Sequence, residues 1–474
     1  MFQGAPITHP MSILGIRGIL FDFIDDPWKH PGNEQAAVRF LADGLLVVED
    51  GRIKDHGEFE EISQRYPGLE VTHFRNRLIL PGFIDGHIHF PQTRILGSYG
   101  EELLPWLEKW VFPEEIKYKD RGYAREGARH FFDGLLSSGT TTCQAFTTSS
   151  PVSTEVFFEE ASARNMRVIA GLTGIDRMAP ADYLDTADHF YQDSKELIAR
   201  YHGQGRNHYA ITPRFAFGAS DELLDACARL KQEHPDCWVN THISENPTEC
   251  REVLRQRPDC EDYLSIYEKH GLVGPKFTGG HGVHLTDDEF RRLSRSGASV
   301  CFCPCSNLFL GSGFFRIGKA TDPEQRVKTA FGSDIGGGNR FCLLHTLDEA
   351  YKVGMHHFTT LQGPAPSDQA EAARSKISPY RGFWSITLGG AEALHLDRWI
   401  GNFEPGKEAD FVVIDWNAGP SAQAWHQSLH LGEHTGPQTV EAAAELLFGI
   451  MMTGDDRNIA ETWIMGSRAH PKQA

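Results

Sequence analysis

The sequence predicts an α/β protein, a TIM (β/α)8 barrel together with a small β-rich domain built from both ends of the chain. In the middle of the chain, short apolar segments alternate with stretches that have apolar residues at helical spacing. Both ends are rich in short β-type segments. The 474 residues also exceed the roughly 250 residues of a bare barrel, which leaves length for a second unit.

Eight apolar segments that end in polar or glycine-rich residues are the predicted barrel strands. They are residues 78–90, 140–146, 167–175, 208–215, 237–245, 277–283, 299–304 and 329–335. The stretches between them, for example 154–165 and 220–234, have helical periodicity. Because strand and helix alternate eight times, a barrel is expected over residues 76–394.

The remaining residues, 1–75 and 395–474, are predicted to form the β-rich domain. Residues 44–48 precede the turn Glu49-Asp50-Gly51, which indicates a hairpin, and residues 410–415 form an apolar strand between carboxylates. Near the C-terminus, three histidines stand at helical spacing and are not expected to bind a ligand. They are His426, His430 and His434.

The net charge argues against two classes of partner. With 64 acidic against 46 basic residues, the net charge is −18, which disfavours nucleic acid and anionic membranes. The nine scattered cysteines favour reduced thiols in the cytosol. We find neither a signal peptide nor an apolar run near the 18 or so residues that span a bilayer. We therefore expect a cytoplasmic protein with a small-molecule substrate.

Two histidines at the end of the first predicted strand begin a set of candidate metal ligands. His87 and His89 are separated by one residue, so on a strand they face the same side. His242, His281 and Asp334 stand at the ends of later predicted strands, the face where TIM barrels build active sites. Imidazoles with a carboxylate suit Zn²⁺ or Fe²⁺. We predict that the first pair, His242 and Asp334 hold one divalent ion, zinc with iron as the alternative.

These residues are also where the chain resembles the amidohydrolase superfamily, beginning with Pro81-Gly82-Phe83-Ile84-Asp85-Gly86-His87-Ile88-His89. Within it, the chain resembles the guanine deaminase family across nearly the whole barrel and both flanks. The segments that carry this resemblance are His89-Phe90-Pro91-Gln92, Leu104-Pro105-Trp106-Leu107, Phe112-Pro113-Glu114-Glu115, Gly139-Thr140-Thr141-Thr142, Thr212-Pro213-Arg214-Phe215, His242-Ile243-Ser244-Glu245-Asn246, Ser306-Asn307-Leu308, Gly401-Asn402-Phe403-Glu404-Pro405-Gly406-Lys407 and Gly454-Asp455-Asp456-Arg457-Asn458-Ile459.

The resemblance implies a homodimeric enzyme that hydrolyses guanine to xanthine and ammonia. It implies that the four ligands hold zinc, that His281 lies beside the attacking water and that Glu245 carries protons. The flanking glycines favour His281 over His284 for this position. The purine would be contacted by Gln92, Arg214 and Phe215.

The chemistry of guanine agrees with these roles. Water is too weak a nucleophile for C2, but a bound Zn²⁺ lowers its pKa from 15.7 towards about 7, and Asp334 could take the proton. Attack pushes charge onto N3, and Glu245 is placed to protonate it and then the leaving amine. Arg214 can donate to O6, and Gln92 can use another base edge. Adenine would leave Arg214 unpaired.

Other interpretations of the sequence remain open. Arg214 can instead pair with a carboxylate, Gln92 can be a loop residue, and Phe215 and Trp106 can be core or base-stacking residues. A binuclear site is disfavoured because residues 210–215 contain no lysine. The enzyme alternative is a hydrolase of another amino-heterocycle, such as an aminotriazine, a pterin or another purine. The non-enzyme alternative is an inactive barrel that serves as an assembly module.

Overall fold

The computed structural model describes residues 13–100, 102–361, 363, 365–419, 422–425 and 436–471. It contains two sheets, one built from the middle of the chain and one from its two ends. The histidines His426, His430 and His434 lie outside the described residues.

The middle of the chain forms the predicted parallel barrel. Its strands are β5 (Phe83–His89), β6 (Thr140–Phe146), β7 (Arg167–Gly171) with its extension β8 (Thr173–Gly174), β9 (Asn207–Pro213), β10 (Trp238–Ile243), β11 (Phe277–His281), β12 (Ser299–Phe302) and β13 (Lys328–Phe331). Neighbouring strands pair in sequence order and in parallel. The Asp334 N–H donates to the His87 carbonyl oxygen at 2.9 Å and links the last strand end to the first.

The first barrel strand is shorter than predicted. The apolar run 78–90 is divided at Gly82, and its first four residues belong to β4 (Val71–Pro81) of the other sheet. Both parts are buried and apolar, so their composition does not reveal the division.

The two ends of the chain build one mixed sheet, as predicted. Its strand order is β16 (Ser467–His470), β15 (Ile459–Ile464), β14 (Phe411–Ile414), β4, β1 (Ile13–Phe23), β2 (Val38–Glu49) and β3 (Arg52–Glu58). The predicted hairpin is present, with β2 and β3 joined by the turn at Asp50-Gly51. Because β4 pairs with both β1 and β14, it joins the N-terminal and C-terminal strands.

Helices occupy most of the crossovers between the barrel strands. The α-helices are Phe59–Arg65, Leu103–Trp106, Phe112–Glu115, Arg121–Ser137, Pro151–Ala163, Ala187–Tyr201, Asp221–Glu233, Pro247–Gln256, Tyr263–Lys269, Asp287–Ser296, Pro304–Phe309, Ile317–Ala320, Leu343–Thr360, Pro366–Ser375, Pro379–Ser385, Leu388–Ala393 and Val440–Thr453. A 3-10 helix at Phe90–Ile95 and a π-helix at Leu107–Val111 follow the first barrel strand. Within the described ranges, no helix has the length and apolarity needed to cross a bilayer.

A buried ion-pair network joins the barrel to the terminal sheet. Glu408 accepts from Arg167 Nε at 2.9 Å and from Arg206 Nη2 at 2.7 Å. Arg206 also donates to Asp410, the residue before β14, at 2.5 Å. All four side chains are less than a tenth exposed, so each charge depends on its partners for the solvation that water would otherwise supply. This network fixes the sheet against the amino-terminal side of β7 and β9.

Candidate functional site

The predicted metal ligands come together at the carboxyl end of the barrel. His89 Nε2 lies 3.1 Å from His242 Nε2 and 3.3 Å from Asp334 Oδ1. His87 Nε2 lies 3.4 Å from the same carboxylate oxygen. These residues come from β5, the end of β10 and the loop after β13. Strand ends far apart in the sequence therefore place three imidazoles around one carboxylate.

The donor atoms fit a divalent cation. Among the described residues, ligand atoms of His87, His242 and His281 lie within 4.8 Å of one another, as do those of His87, His89 and Asp334. Both ring nitrogens of His87 are buried without a hydrogen-bond partner, a costly arrangement unless something binds there. Neutral nitrogen and carboxylate oxygen donors form a set that zinc and iron accept.

Burial keeps three of these histidines, His89, His242 and His281, in the protonation state that a metal requires. It lowers the pKa of His89 and of His242 well below the ordinary value and that of His281 to about 3. The rings are therefore neutral near pH 7 and have a lone pair for a cation. Burial alone would raise the pKa of Asp334, but its contact with His87 outweighs this effect and lowers it well below the ordinary value.

Hydrogen bonds behind two of the rings distinguish their roles. His242 Nδ1 donates to the Arg214 carbonyl oxygen at 2.5 Å, which leaves the Nε2 lone pair facing the cluster. Asn307 Nδ2 donates to His281 Nδ1 at 2.9 Å, so the neutral His281 ring has its proton on Nε2. His281 can thus donate a hydrogen bond inside the pocket, whereas His242 is set up to bind a metal.

Asp85 links the first and last barrel strands next to the ligands. Its side chain accepts from Ser333 Oγ at 2.5 Å, from the Ser333 N–H at 3.1 Å and from the His87 N–H at 3.2 Å. Burial raises the pKa of Asp85 to about 7. The carboxyl group holds the backbone of a histidine and of the residue before Asp334 in one arrangement.

Gly280 on β11 makes room for the His87 ring. A Cβ atom placed there would lie only 2.6 Å from His87 Nδ1, far inside van der Waals contact. The residue at this position must therefore lack a side chain for His87 to keep its place.

Glu245 lies beside the cluster, two residues beyond the end of β10. Its Oε2 is 3.4 Å from His281 Nε2, and its Oε1 accepts from Ser312 Oγ at 3.4 Å. Burial raises the pKa of Glu245 well above the ordinary value, and repulsion from Asp334 and Glu249 adds to the shift. A carboxyl group of this kind can carry a proton near neutral pH.

A pocket with about 370 Å³ of empty volume opens over the cluster. It is lined by His89, Gln92, Leu103, Trp106, Leu107, Arg214, Phe215, His242, Glu245, His281, Leu310, Asp334 and Gly337. His87 lies beneath this lining and is fully buried. The structure therefore gathers all of the predicted site residues, and it places Trp106 and Phe215, each less than a twentieth exposed, in the apolar wall.

Two residues that the sequence analysis did not single out lie behind the polar wall and bind Arg214. Glu115 accepts from Arg214 Nη1 at 2.7 Å and from Arg214 Nη2 at 3.2 Å. Tyr183 OH accepts from Arg214 Nη1 at 3.0 Å and itself donates to Glu115. Arg214 thus pairs with a carboxylate and also lines the pocket. Glu115 is part of one of the segments that carry the family resemblance, which was the only signal available in the sequence.

Comparisons with known proteins agree on one family. Residues 78–468 match the sequence profile described as the Amidohydrolase family. Guanine deaminase of Escherichia coli (strain K12) is 43% identical over 457 residues, which cover 96% of this chain and 97% of that protein. The crystal structure of guanine deaminase from Bradyrhizobium japonicum is 67% identical, with a TM-score of 0.95, over 98% of this chain and 100% of that one.

A third relative has a ligand in its site. The crystal structure of guanine deaminase from C. acetobutylicum has guanine bound in the active site. It is 25% identical to this chain, with a TM-score of 0.83, over 96% of this chain and 100% of that one.

Proposed function

Because the chain belongs to the amidohydrolase family and, within it, to the guanine deaminases, we propose that it hydrolyses guanine to xanthine and ammonia in purine catabolism. The observation that carries the proposal is the pocket in which Glu245 and the histidine-aspartate cluster face Arg214 and Gln92. A proton carrier, a cation site and polar groups for a base edge lie within one small volume.

We propose that His87, His89, His242 and Asp334 hold one divalent ion, zinc in preference to iron. When bound, such a cation lowers the pKa of water from 15.7 towards about 7 and so supplies hydroxide at neutral pH. The buried, neutral imidazoles and the orphaned nitrogens of His87 support this assignment.

The residues around the cluster then move protons. Asp334 accepts the proton of the attacking water, and His281 Nε2–H holds that water in line with C2. Glu245, kept protonated by burial, delivers its proton to N3 as charge develops there. Glu245 then passes the proton from Asp334 to the departing amine. As ammonia leaves and the C2 carbonyl forms, the C2 hydroxyl releases its remaining proton to Glu245, so that both carboxyl groups return to their starting states.

Recognition of the base is assigned to the wall opposite the cluster. Arg214 donates to O6, Gln92 contacts the neighbouring base edge, and Phe215 and Trp106 pack against the ring faces. Since all four line the pocket and are almost fully buried, the base would be removed from water when it binds.

We propose three further features of the protein, its domain boundaries, its location and its oligomeric state, each with its own support. The proposed β-rich domain comprises residues 1–75 and 395–474 and the proposed barrel 76–394. A single sheet drawn from both ends supports this division, although its strand β4 continues to Pro81. A cytoplasmic location is supported by nine cysteines that are all free thiols. A homodimer is supported by the family resemblance alone and is tested by size-exclusion chromatography with light scattering.

The proposed reaction predicts which heterocycle releases ammonia. We expect the purified, zinc-loaded protein to release ammonia from guanine at least a hundredfold faster than from adenine, cytosine or an aminotriazine, because only guanine pairs with Arg214 through O6. The measurement is coupled detection of ammonia with each compound at equal concentration. Faster release from any of the other three would assign the enzyme to a different amino-heterocycle.

A further inference from the structure

Glu115 is a fully buried carboxylate whose two oxygens are both used. Oε2 accepts from Arg214 Nη1 at 2.7 Å and from the Tyr183 hydroxyl. Oε1 accepts from Gln92 Nε2 at 2.9 Å and from Arg214 Nη2 at 3.2 Å. Glu115 and the three side chains that donate to it are each no more than 2% exposed. The carboxylate therefore holds two pocket residues at once.

The hydrogen bond to Glu115 determines which end of the Gln92 amide is free to bind a ligand. An amide has an N–H end that donates and a carbonyl oxygen that accepts. Because a carboxylate only accepts, Glu115 binds the N–H end of Gln92. The carbonyl oxygen of Gln92, a residue that lines the pocket, is then the group left for a ligand.

Glu115 also fixes the guanidinium of Arg214, which offers the pocket a hydrogen-bond donor where Gln92 offers an acceptor. Arg214 has only donors, and those facing Glu115 and Tyr183 hold its plane. The ion pair with Glu115 also raises the pKa of Arg214 despite its burial, so the group is always charged. The pocket thus presents a donor from Arg214 beside an acceptor from Gln92.

We propose that Glu115 is a positioning residue that sets the base preference of the pocket by fixing this donor-acceptor pair, an inference that rests on the proposed function. The O6 of guanine accepts from Arg214, and the adjacent N1–H donates to Gln92 Oε1. Adenine has a donating amino group and an accepting N1 at these positions, so both contacts are mismatched. A carboxylate that does not touch the base thereby selects the 6-oxo purines.

Binding of two purines that the enzyme cannot deaminate at C2 tests this role without depending on turnover. Hypoxanthine has O6 and N1–H, adenine has the opposite pattern, and neither has a 2-amino group. In Glu115→Gln, the carbonyl oxygen of the new side chain accepts from Arg214, and its NH₂ faces Gln92. The Gln92 amide then turns over, accepts from that NH₂ with its carbonyl oxygen and presents its own NH₂ to the pocket. We expect the preference for hypoxanthine over adenine to fall by about tenfold or more, as measured by calorimetry on zinc-loaded protein.

Two further variants separate positioning from general damage to the fold. Glu114→Gln changes the neighbouring carboxylate, which bonds Lys117 and Tyr123 away from the pocket, and should keep the wild-type preference. The exchange Gln92→Glu with Glu115→Gln places an acceptor at position 92 again and should restore most of the preference. A merely structural defect would weaken both purines alike and would not be rescued by the exchange.

Separate outcomes test the positioning role of Glu115 and the proposed deamination of guanine. If Glu115→Gln kept the wild-type ratio of the two dissociation constants, or if the exchange variant failed to recover it, the positioning role would be wrong. If the wild-type protein preferred hypoxanthine but released no ammonia from guanine, the proposed reaction would fail while the ratio still tested Glu115.

Discussion

Glu245 shows how its surroundings prepare an ordinary side chain for the proton transfer that we propose for it. Burial and then repulsion from the nearby carboxylates raise the pKa of Glu245, while the bond from Ser312 opposes that effect only in part. The Glu245 Oε2 atom is held 3.4 Å from His281 Nε2 in the pocket lining. Its position makes proton transfer and metal binding separable, because Glu245 need not ligate the cation for the proposed chemistry.

Replacing Glu245 should therefore remove chemistry and leave the metal. We expect Glu245→Gln to keep its zinc but lose about 10²–10⁴-fold in turnover, the usual range for a general acid-base group. His242→Ala should lose both zinc and turnover. Elemental analysis and guanine turnover measure the two effects, with Glu252→Gln on the partly exposed face of the next helix as the control. A Glu245→Gln variant with the wild-type rate would remove Glu245 from the mechanism.

At the scale of the strand, β11 contributes space as well as a side chain. The strand ends in His281, which has a positive φ of 73°, and the residue before it is the glycine that faces the His87 ring. The absence of a side chain at Gly280 on β11 is therefore one of the features that set the geometry of the cluster.

An added methyl group at position 280 should disturb the proposed metal site by crowding His87, although Gly280 is not itself a candidate ligand. We expect Gly280→Ala to push His87 away and to weaken zinc binding by tenfold or more, in line with the loss when the support of a ligand is altered. Gly274→Ala, in the loop before the same strand, has no atom within 4 Å of the added Cβ and should bind zinc normally. Competition with a zinc-binding dye measures both affinities, and equal values would contradict the steric argument.

The elements also show what the sequence could and could not predict. The meeting of the candidate ligands was predictable because each lies at or just beyond the end of an apolar strand, and parallel strand ends must meet at one face of a barrel. The division of the first predicted strand, residues 78–90, at Gly82 was not predictable, since this run is apolar on both sides of the glycine. The pairing of Glu115 with Arg214 joins residues 99 positions apart, and no local pattern indicates which buried carboxylate a given arginine meets.

For the whole molecule, the cation would act as a cross-link between remote parts of the chain. Its proposed ligands belong to β5, to the end of β10 and to the loop after β13. A cation that binds only the folded arrangement of these segments adds its binding free energy to the stability of the barrel.

Removal of the metal should consequently lower stability as well as activity. We expect dialysis against a strong chelator to abolish guanine turnover and to lower the Tm. Free zinc at about 1,000 times its Kd would restore about 4 kcal/mol of unfolding free energy. Calorimetry and ammonia release, before and after zinc is returned, follow both quantities. Full activity in protein that elemental analysis shows to be metal-free would contradict the proposed chemistry.

The ion pairs between barrel and terminal sheet have a consequence for biosynthesis. Arg206 precedes Glu408 by 202 residues along the chain. At about 5–20 residues per second, a ribosome needs on the order of 10–40 s to make that interval. During this time the underside of the nascent barrel bears cations whose carboxylate partners do not yet exist. The final docking of the two units must therefore be a late event, completed only after the C-terminal strands emerge.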